Sequence, residues 1–252
     1  PLAPLDIDLA SNTGIAYRFV LYLLRNARAL PSGERAVHAF ATANGAFQTA
    51  VLRKLGGFDE RFRSEEGGED LDLCLRIGRR EKADLFVLTL AALLHDIGRA
   101  DEDRSNGRRC HALAGAGRAR KILANHGLPE DLTGRVVHCI AAHRYRKAVR
   151  PETLEARVLF DADKLDSIGA VGIGRAFLFA GEVGARLHDK DIDVEKTKPY
   201  TKDDTAYREF LVKLRHIRDR MTTAEGRRIA RRRHAFMVGF FARLNRETTG
   251  AL

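Results

Sequence analysis

In Ala91-Ala-Leu-Leu-His-Asp-Ile-Gly-Arg99 an apolar run delivers an imidazole and a carboxylate on adjacent residues. Leu85, Leu88, Ala92 and His95 recur at helical spacing and Gly98 supplies a stop, so a helix is expected that ends at His95-Asp96. Burying such a pair is costly unless something compensates. A divalent cation compensates well, because neutral imidazole and carboxylate both suit first-row ions, and neighbouring side chains at a frayed helix end can converge on one ion. Taken alone, the dipeptide more often marks a helix-ending His followed by a capping Asp. A second such pair, His188-Asp189, lies in a charged stretch with no apolar helix before it.

Downstream residues reverse that balance. A helix is expected from His111 to Asn125, stopping near Gly127, and another from about Leu132 to His143 with Val136, Ile140 and His143 on one face. Pro151 opens a fourth, in which Leu154, Val158 and Leu165 form a stripe while Asp161, Asp163 and Asp166 supply three carboxylates. Candidate ligands thus fall on four successive helices. Two more helices are expected around 205–220 and 223–245. Upstream of about residue 70 the texture differs, with glycines and single apolar residues interspersed as in short strands, turns and loops.

The chain of 252 residues is long enough to bury a core unaided. It begins at Pro1 rather than Met, which leaves room for residues before it, and no apolar run approaches the roughly 18 to 20 residues that cross a bilayer. Cys74, Cys110 and Cys139 are far apart and form neither a disulfide framework nor a thiolate zinc site, so a soluble chain in a reducing cytoplasm is expected, with no membrane partner. Lys plus Arg number 44 against 34 Asp plus Glu, and the formal charge of +10 favours anionic partners.

The set Leu90 to Arg99, His111-Ala112, Ile140-Ala-Ala-His143, Asp161-Ala-Asp-Lys-Leu-Asp166 and Gly172-Ile-Gly-Arg175 resembles the HD-domain metal-dependent phosphohydrolases, from about residue 81 to the end. The resemblance implies a mainly all-α, HD-type helical bundle whose metal is held by His95, Asp96 and Asp163, with His111 and His143 similar to the extra histidines of members that bind a second ion. It implies Asp96, His111 and Lys164 as catalytic groups and Arg144, Lys164 and Arg175 as contacts to substrate phosphate. The expected cofactor is a divalent ion, one of Mn, Mg, Fe, Co or Zn. The expected substrate is a phosphorylated small molecule, a nucleotide or a related metabolite, cleaved by metal-activated water. The family's first His has no counterpart here, since its place falls near Glu66, and a nearby carboxylate such as Glu65, Glu69 or Asp70 would have to replace it.

Residues 41–80 resemble the later half of a family two glycosyltransferase, through Ala43-Asn-Gly-Ala-Phe47, Leu55-Gly-Gly-Phe-Asp-Glu-Arg-Phe62 and Gly68-Glu-Asp-Leu-Asp-Leu-Cys-Leu-Arg76. That resemblance implies an incomplete α/β fragment over 1–70 ahead of a hydrolase domain over 71–252, with a junction in the helix 71–80 as a gene fusion or a misjoined sequence would produce. Its acidic pair Glu69-Asp70, similar to the family's catalytic-base region, is equally an N-terminal helix cap. A third expectation is an inactive HD-fold binding module built on residues 213–234, where nine Lys or Arg face two acids. Such a stretch is usually a solvated face, and it lacks the aromatic residues of single-strand readers, so nucleic acid is not the expected partner.

Overall fold

The computed structural model describes residues 69–144 and 149–251, whose regular structure is all helical, with no strand among them. The helices are α1 (Glu69–Glu81), α2 (Leu85–Leu94), α3 (Arg99–Arg104), α4 (His111–Asn125), α5 (Glu130–Ala142), α6 (Leu154–Asp166), α7 (Gly169–Glu182), α8 (Ala206–Val212) and α9 (Ala224–Glu247). No helix among them is long and apolar enough to cross a membrane. The chain divides into two compact units, one ending at Phe160 and the other beginning at Asp161, so the division falls inside α6.

In the first unit, α2 is the central element. Val87, Leu88, Leu90, Ala91 and Leu94 are all buried, as expected of a helix apolar on every side, and it packs against α1 and α5. Asp84 caps it by accepting from the Phe86 and Val87 amides at 3.0 and 3.3 Å. The Asp84 amide in turn donates to Glu155 at 3.0 Å, and Arg135 of α5 pairs with both Asp84 and Glu155. The start of the helix is therefore fixed by polar groups and its length by apolar ones.

Gly98 and Gly115 decide how the end of α2 meets α4. A Cβ on Gly98 would lie 2.2 Å from the His111 carbonyl oxygen and 2.6 Å from the Gly115 nitrogen, so the turn after Asp96 can rest on the first turn of α4 only without a side chain there. Short α3 is clamped onto α4 by Arg118, which donates to the Ile97 carbonyl at 3.2 Å and pairs with Asp101 at 2.8 Å.

In the second unit, α7 and α9 pack through Phe177 against Phe240 and Phe241, while Tyr207 and Phe210 of α8 close on Phe241. The N-terminus of α9 is seated on Asp161. This wholly buried carboxylate accepts from the amides of Thr222 and Thr223 at 2.9 and 2.8 Å and from their hydroxyls at 2.9 and 2.6 Å. Gly226 lies so close that a Cβ would fall 2.1 Å from Asp161 Oδ2. One of the three aspartates of α6 is thus committed to holding a helix.

The helices differ in places from those read in the sequence, and short α3 was not among those expected. Helix α7 was not anticipated, because Gly169-Ala-Val-Gly-Ile-Gly174 has no long apolar repeat; Gly172 sits where the chain is crowded, since a Cβ there would meet the Ser167 carbonyl at 2.2 Å, whereas Gly174 and Gly181 have open space around them. The helix expected over 205–220 stops at Val212 and continues as a 3₁₀ stretch, Leu214–Arg220, after Lys213 turns to φ −135° and ψ −59°. The segment before residue 69, with the expected α/β fragment and the place of the missing first His, lies outside the described residues.

Candidate metal centre

Three helix ends of the first unit bring candidate ligands together. His95 is the C-terminal cap of α2 and Asp96 follows it; His111 opens α4 and His143 caps the end of α5. All three imidazoles are buried; the Asp96 side chain is 37% exposed, but its Oδ1, the oxygen that faces them, is buried. Asp96 Oδ1, His111 Nε2 and His143 Nε2 face one another: the two nitrogens are 3.0 Å apart, and the oxygen is 3.5 Å from one and 3.7 Å from the other. His95 Nε2 lies 3.7 Å from Asp96 Oδ2, and its ring meets that of His143 edge-on at 5.1 Å.

The hydrogen bonds on the far side of each ring fix what these atoms are. Nδ1 of His95 is 2.6 Å from the Ala92 carbonyl and Nδ1 of His143 is 2.6 Å from the Ile140 carbonyl. A carbonyl can only accept, so both nitrogens carry the proton and Nε2 of each neutral ring presents its lone pair inward. Nδ1 of His111 donates to the Glu102 carboxylate, with the same consequence. Two imidazole lone pairs and a carboxylate oxygen within a few ångströms repel unless a proton or a cation lies among them. This donor set, with every outer nitrogen already satisfied, fits a divalent ion.

Burial lowers the His111 pKa and nearby Arg99 adds to the effect, against the opposing pull of Glu102 and Asp96, so the neutral, ligating form is favoured. For Glu102 burial acts upward, but the hydrogen bonds from His111 and Arg144 outweigh it and hold the carboxyl below its usual range. Arg99 bonds to Asp96 Oδ2 at 3.0 Å and approaches Glu102 at 3.9 Å, which places a guanidinium at the exposed rim.

Among the expected site residues, His95, Asp96, His111 and His143 are gathered, and Arg144 stands beside them, bonded to Glu102 and 3.7 Å from Cys110 Sγ. Asp163, Lys164 and Arg175 belong to the second unit, where Asp163 pairs with Lys164 and Arg175 with Asp166. Glu102 and Arg99 were not singled out from the sequence. Glu102 sits in Arg99-Ala-Asp-Glu-Asp-Arg104, a run whose composition is that of a solvated surface, and its only signal there is adjacency to the His-Asp pair. Residues 145–148, just after Arg144, are outside the described residues.

The HD domain family matches residues 71–168. The uncharacterized protein YpgQ of Bacillus subtilis is 35% identical over 183 residues, 71% of this chain and 80% of its own length. The crystal structure of YpgQ in complex with ADP superimposes with a TM-score of 0.55 at 32% identity, covering 73% of this chain and 88% of that one. An HD-superfamily hydrolase from Bacillus thuringiensis shares the fold at 24% identity, with a TM-score of 0.58 over 79% of this chain and 91% of its own. The HD match begins at residue 71 and so takes in nearly all of α1, including most of the last segment that resembled a glycosyltransferase; the earlier segments of that resemblance lie outside the described residues.

Proposed function

The chain belongs to the HD-domain family, and from that footing we propose that residues 71–252 form a metal-dependent phosphohydrolase that cleaves a phosphate ester of a nucleotide or small phosphorylated metabolite. The observation that carries the proposal is the convergence of Asp96 Oδ1, His111 Nε2 and His143 Nε2, three electron-pair donors on separate helix ends. These residues, with His95 beside them, would hold a divalent ion. Such an ion supplies hydroxide at neutral pH from bound water and draws charge from phosphoryl oxygens.

The residues of the chain then have separable tasks. The carbonyls of Ala92 and Ile140 hold His95 and His143 in the ligating tautomer. Asp96 turns its buried Oδ1 toward the histidines and its Oδ2 toward Arg99 at the rim. Arg99 and Arg144 flank the centre and are placed to neutralise a phosphate arriving there. The net charge of +10 steers anions toward the molecule. The ADP held by YpgQ supports a nucleotide or nucleotide-like substrate for this relative. Asp163 and Lys164 are proposed as an additional ligand and a phosphate contact from their match to the family's late Asp-Lys pair.

The test is elemental analysis of the purified protein together with a phosphate-release screen over nucleoside mono-, di- and triphosphates and sugar phosphates. Bound divalent metal and release that vanish together in His95→Ala and Asp96→Ala are expected. Release that persists undiminished in both variants would remove the assignment.

A further inference from the structure

Glu102 is a buried acid that the proposed chemistry does not itself consume, yet both of its carboxylate oxygens are occupied by functional neighbours. Oε2 accepts the Nδ1 proton of His111, while Oε1 accepts from the Arg144 guanidinium. Its side chain is only 11% exposed, so the cost of burying the charge is substantial, and a neutral residue would fill the same space more cheaply were filling space its task. The helix that carries it is short and would be mobile alone, but it is fixed at both ends. Arg118 ties Ile97 and Asp101 to α4, and the Glu102 carbonyl accepts from the Ser105 hydroxyl and the Gly107 amide, each at 2.9 Å. The carboxylate is therefore held against His111 from outside the metal centre.

We infer that Glu102 is the positioning residue of the centre: it fixes His111 in the Nδ1–H tautomer, so that Nε2 is a ligand, and with its other oxygen holds Arg144 at the same place. One carboxylate thereby sets the relative position of a metal ligand and a phosphate-facing cation. The inference rests on the metal-dependent reading above. A glutamine at 102 has nearly the same size but only one acceptor oxygen. Its amide hydrogens must face either the His111 Nδ1–H or the Arg144 guanidinium, and both of those are donors. Loss of partners that orient a metal-bound imidazole typically weakens metal binding about 10- to 100-fold.

Two measurements test the role. In the first, Mn²⁺ is titrated calorimetrically into the metal-stripped full chain as wild type, Glu102→Gln, His111→Ala and the double variant, with circular dichroism confirming the fold. Expected are a fall of roughly 10- to 100-fold for Glu102→Gln and no further fall when it is added to His111→Ala, because a residue that acts through His111 has nothing left to act on. Losses that multiply in the double variant, or a Glu102→Gln affinity within about twofold of wild type, would overturn the role. The second measurement needs no variant at position 102. Long-range ¹H–¹⁵N correlation spectra of the metal-free wild type, assigned with His111→Ala, report the tautomer directly, and an Nε2–H tautomer at His111 overturns the inference. A wild type that binds no Mn²⁺ while His111 shows the Nδ1–H tautomer would count against the hydrolase reading and uphold the positioning by Glu102.

Discussion

Replacing Asp161 with alanine separates a carboxylate that builds the fold from those that build the centre. Asp161 accepts four hydrogen bonds from Thr222 and Thr223 and is wholly buried. Of the four donors, the two hydroxyls can rotate, and Thr223 Oγ1 keeps its bond from the Gly226 amide at 2.9 Å. The two amides cannot turn, and each buried donor left without an acceptor costs about 1–3 kcal/mol. Burial pushes the Asp161 carboxyl above its ordinary range, so removing it also relieves part of a desolvation cost and offsets some of that loss. The expected net destabilisation is about 3 kcal/mol, a large share of the roughly 5–15 kcal/mol that hold a domain together. The chain has no Trp, so urea unfolding followed by far-ultraviolet circular dichroism is the assay. The partly exposed Asp96, changed to alanine, should stay within about 1 kcal/mol of the metal-free wild type while losing metal binding. A loss below about 1 kcal/mol for Asp161→Ala would refute the argument that this carboxylate is the seat of α9.

Gly98→Ala should disable metal binding without touching a ligand, because its Cβ would lie 2.2 Å from the His111 carbonyl and push α4 off the turn that carries Asp96; calorimetric titration with Mn²⁺ reads this, and retained affinity would contradict it. Adding Mn²⁺ at about one hundred times its dissociation constant should stabilise the wild type by about 2.7 kcal/mol, a gain that chelator removes and that His143→Ala lacks in thermal unfolding. Cysteine alkylation should be ordered by environment. Burial pushes the Cys139 thiol up to about 12, so it stays protonated and inert through mildly alkaline pH. Burial resists ionisation at Cys110 too, but the Leu113 and Ala112 amides and Arg144 hold that thiol below its ordinary value. Iodoacetamide followed by peptide mass mapping should therefore mark Cys110 first as pH rises, and earlier labelling of Cys139 would refute the assignment.

Much of the helical frame could be read along the chain. The run from Leu85 to Leu94 announces a buried helix whose end presents His95-Asp96, and Gly127 and Thr223 mark a helix stop and a helix start where the structure has them. Such signals are local: apolar spacing, caps and glycines act through neighbours a few residues away. Helix α7 escaped because its four glycines interrupt the apolar spacing that marks a helix in sequence.

Residue types and order were thus enough to point to a helical HD-type fold with histidines and carboxylates as candidate ligands. Which of them share a point in space was settled only by packing. His111 and His143 are 32 residues apart in sequence, yet their nitrogens stand 3.0 Å from each other because α4 and α5 pack side by side. Asp161 and Asp96 are the same amino acid, and only the partners around them make one a helix seat and the other a candidate ligand. Glu102 looks like surface in the sequence and is buried against His111 in the fold. Electrostatic and hydrogen-bond energies depend on distance through space, which a linear order of residues does not contain until the chain has folded.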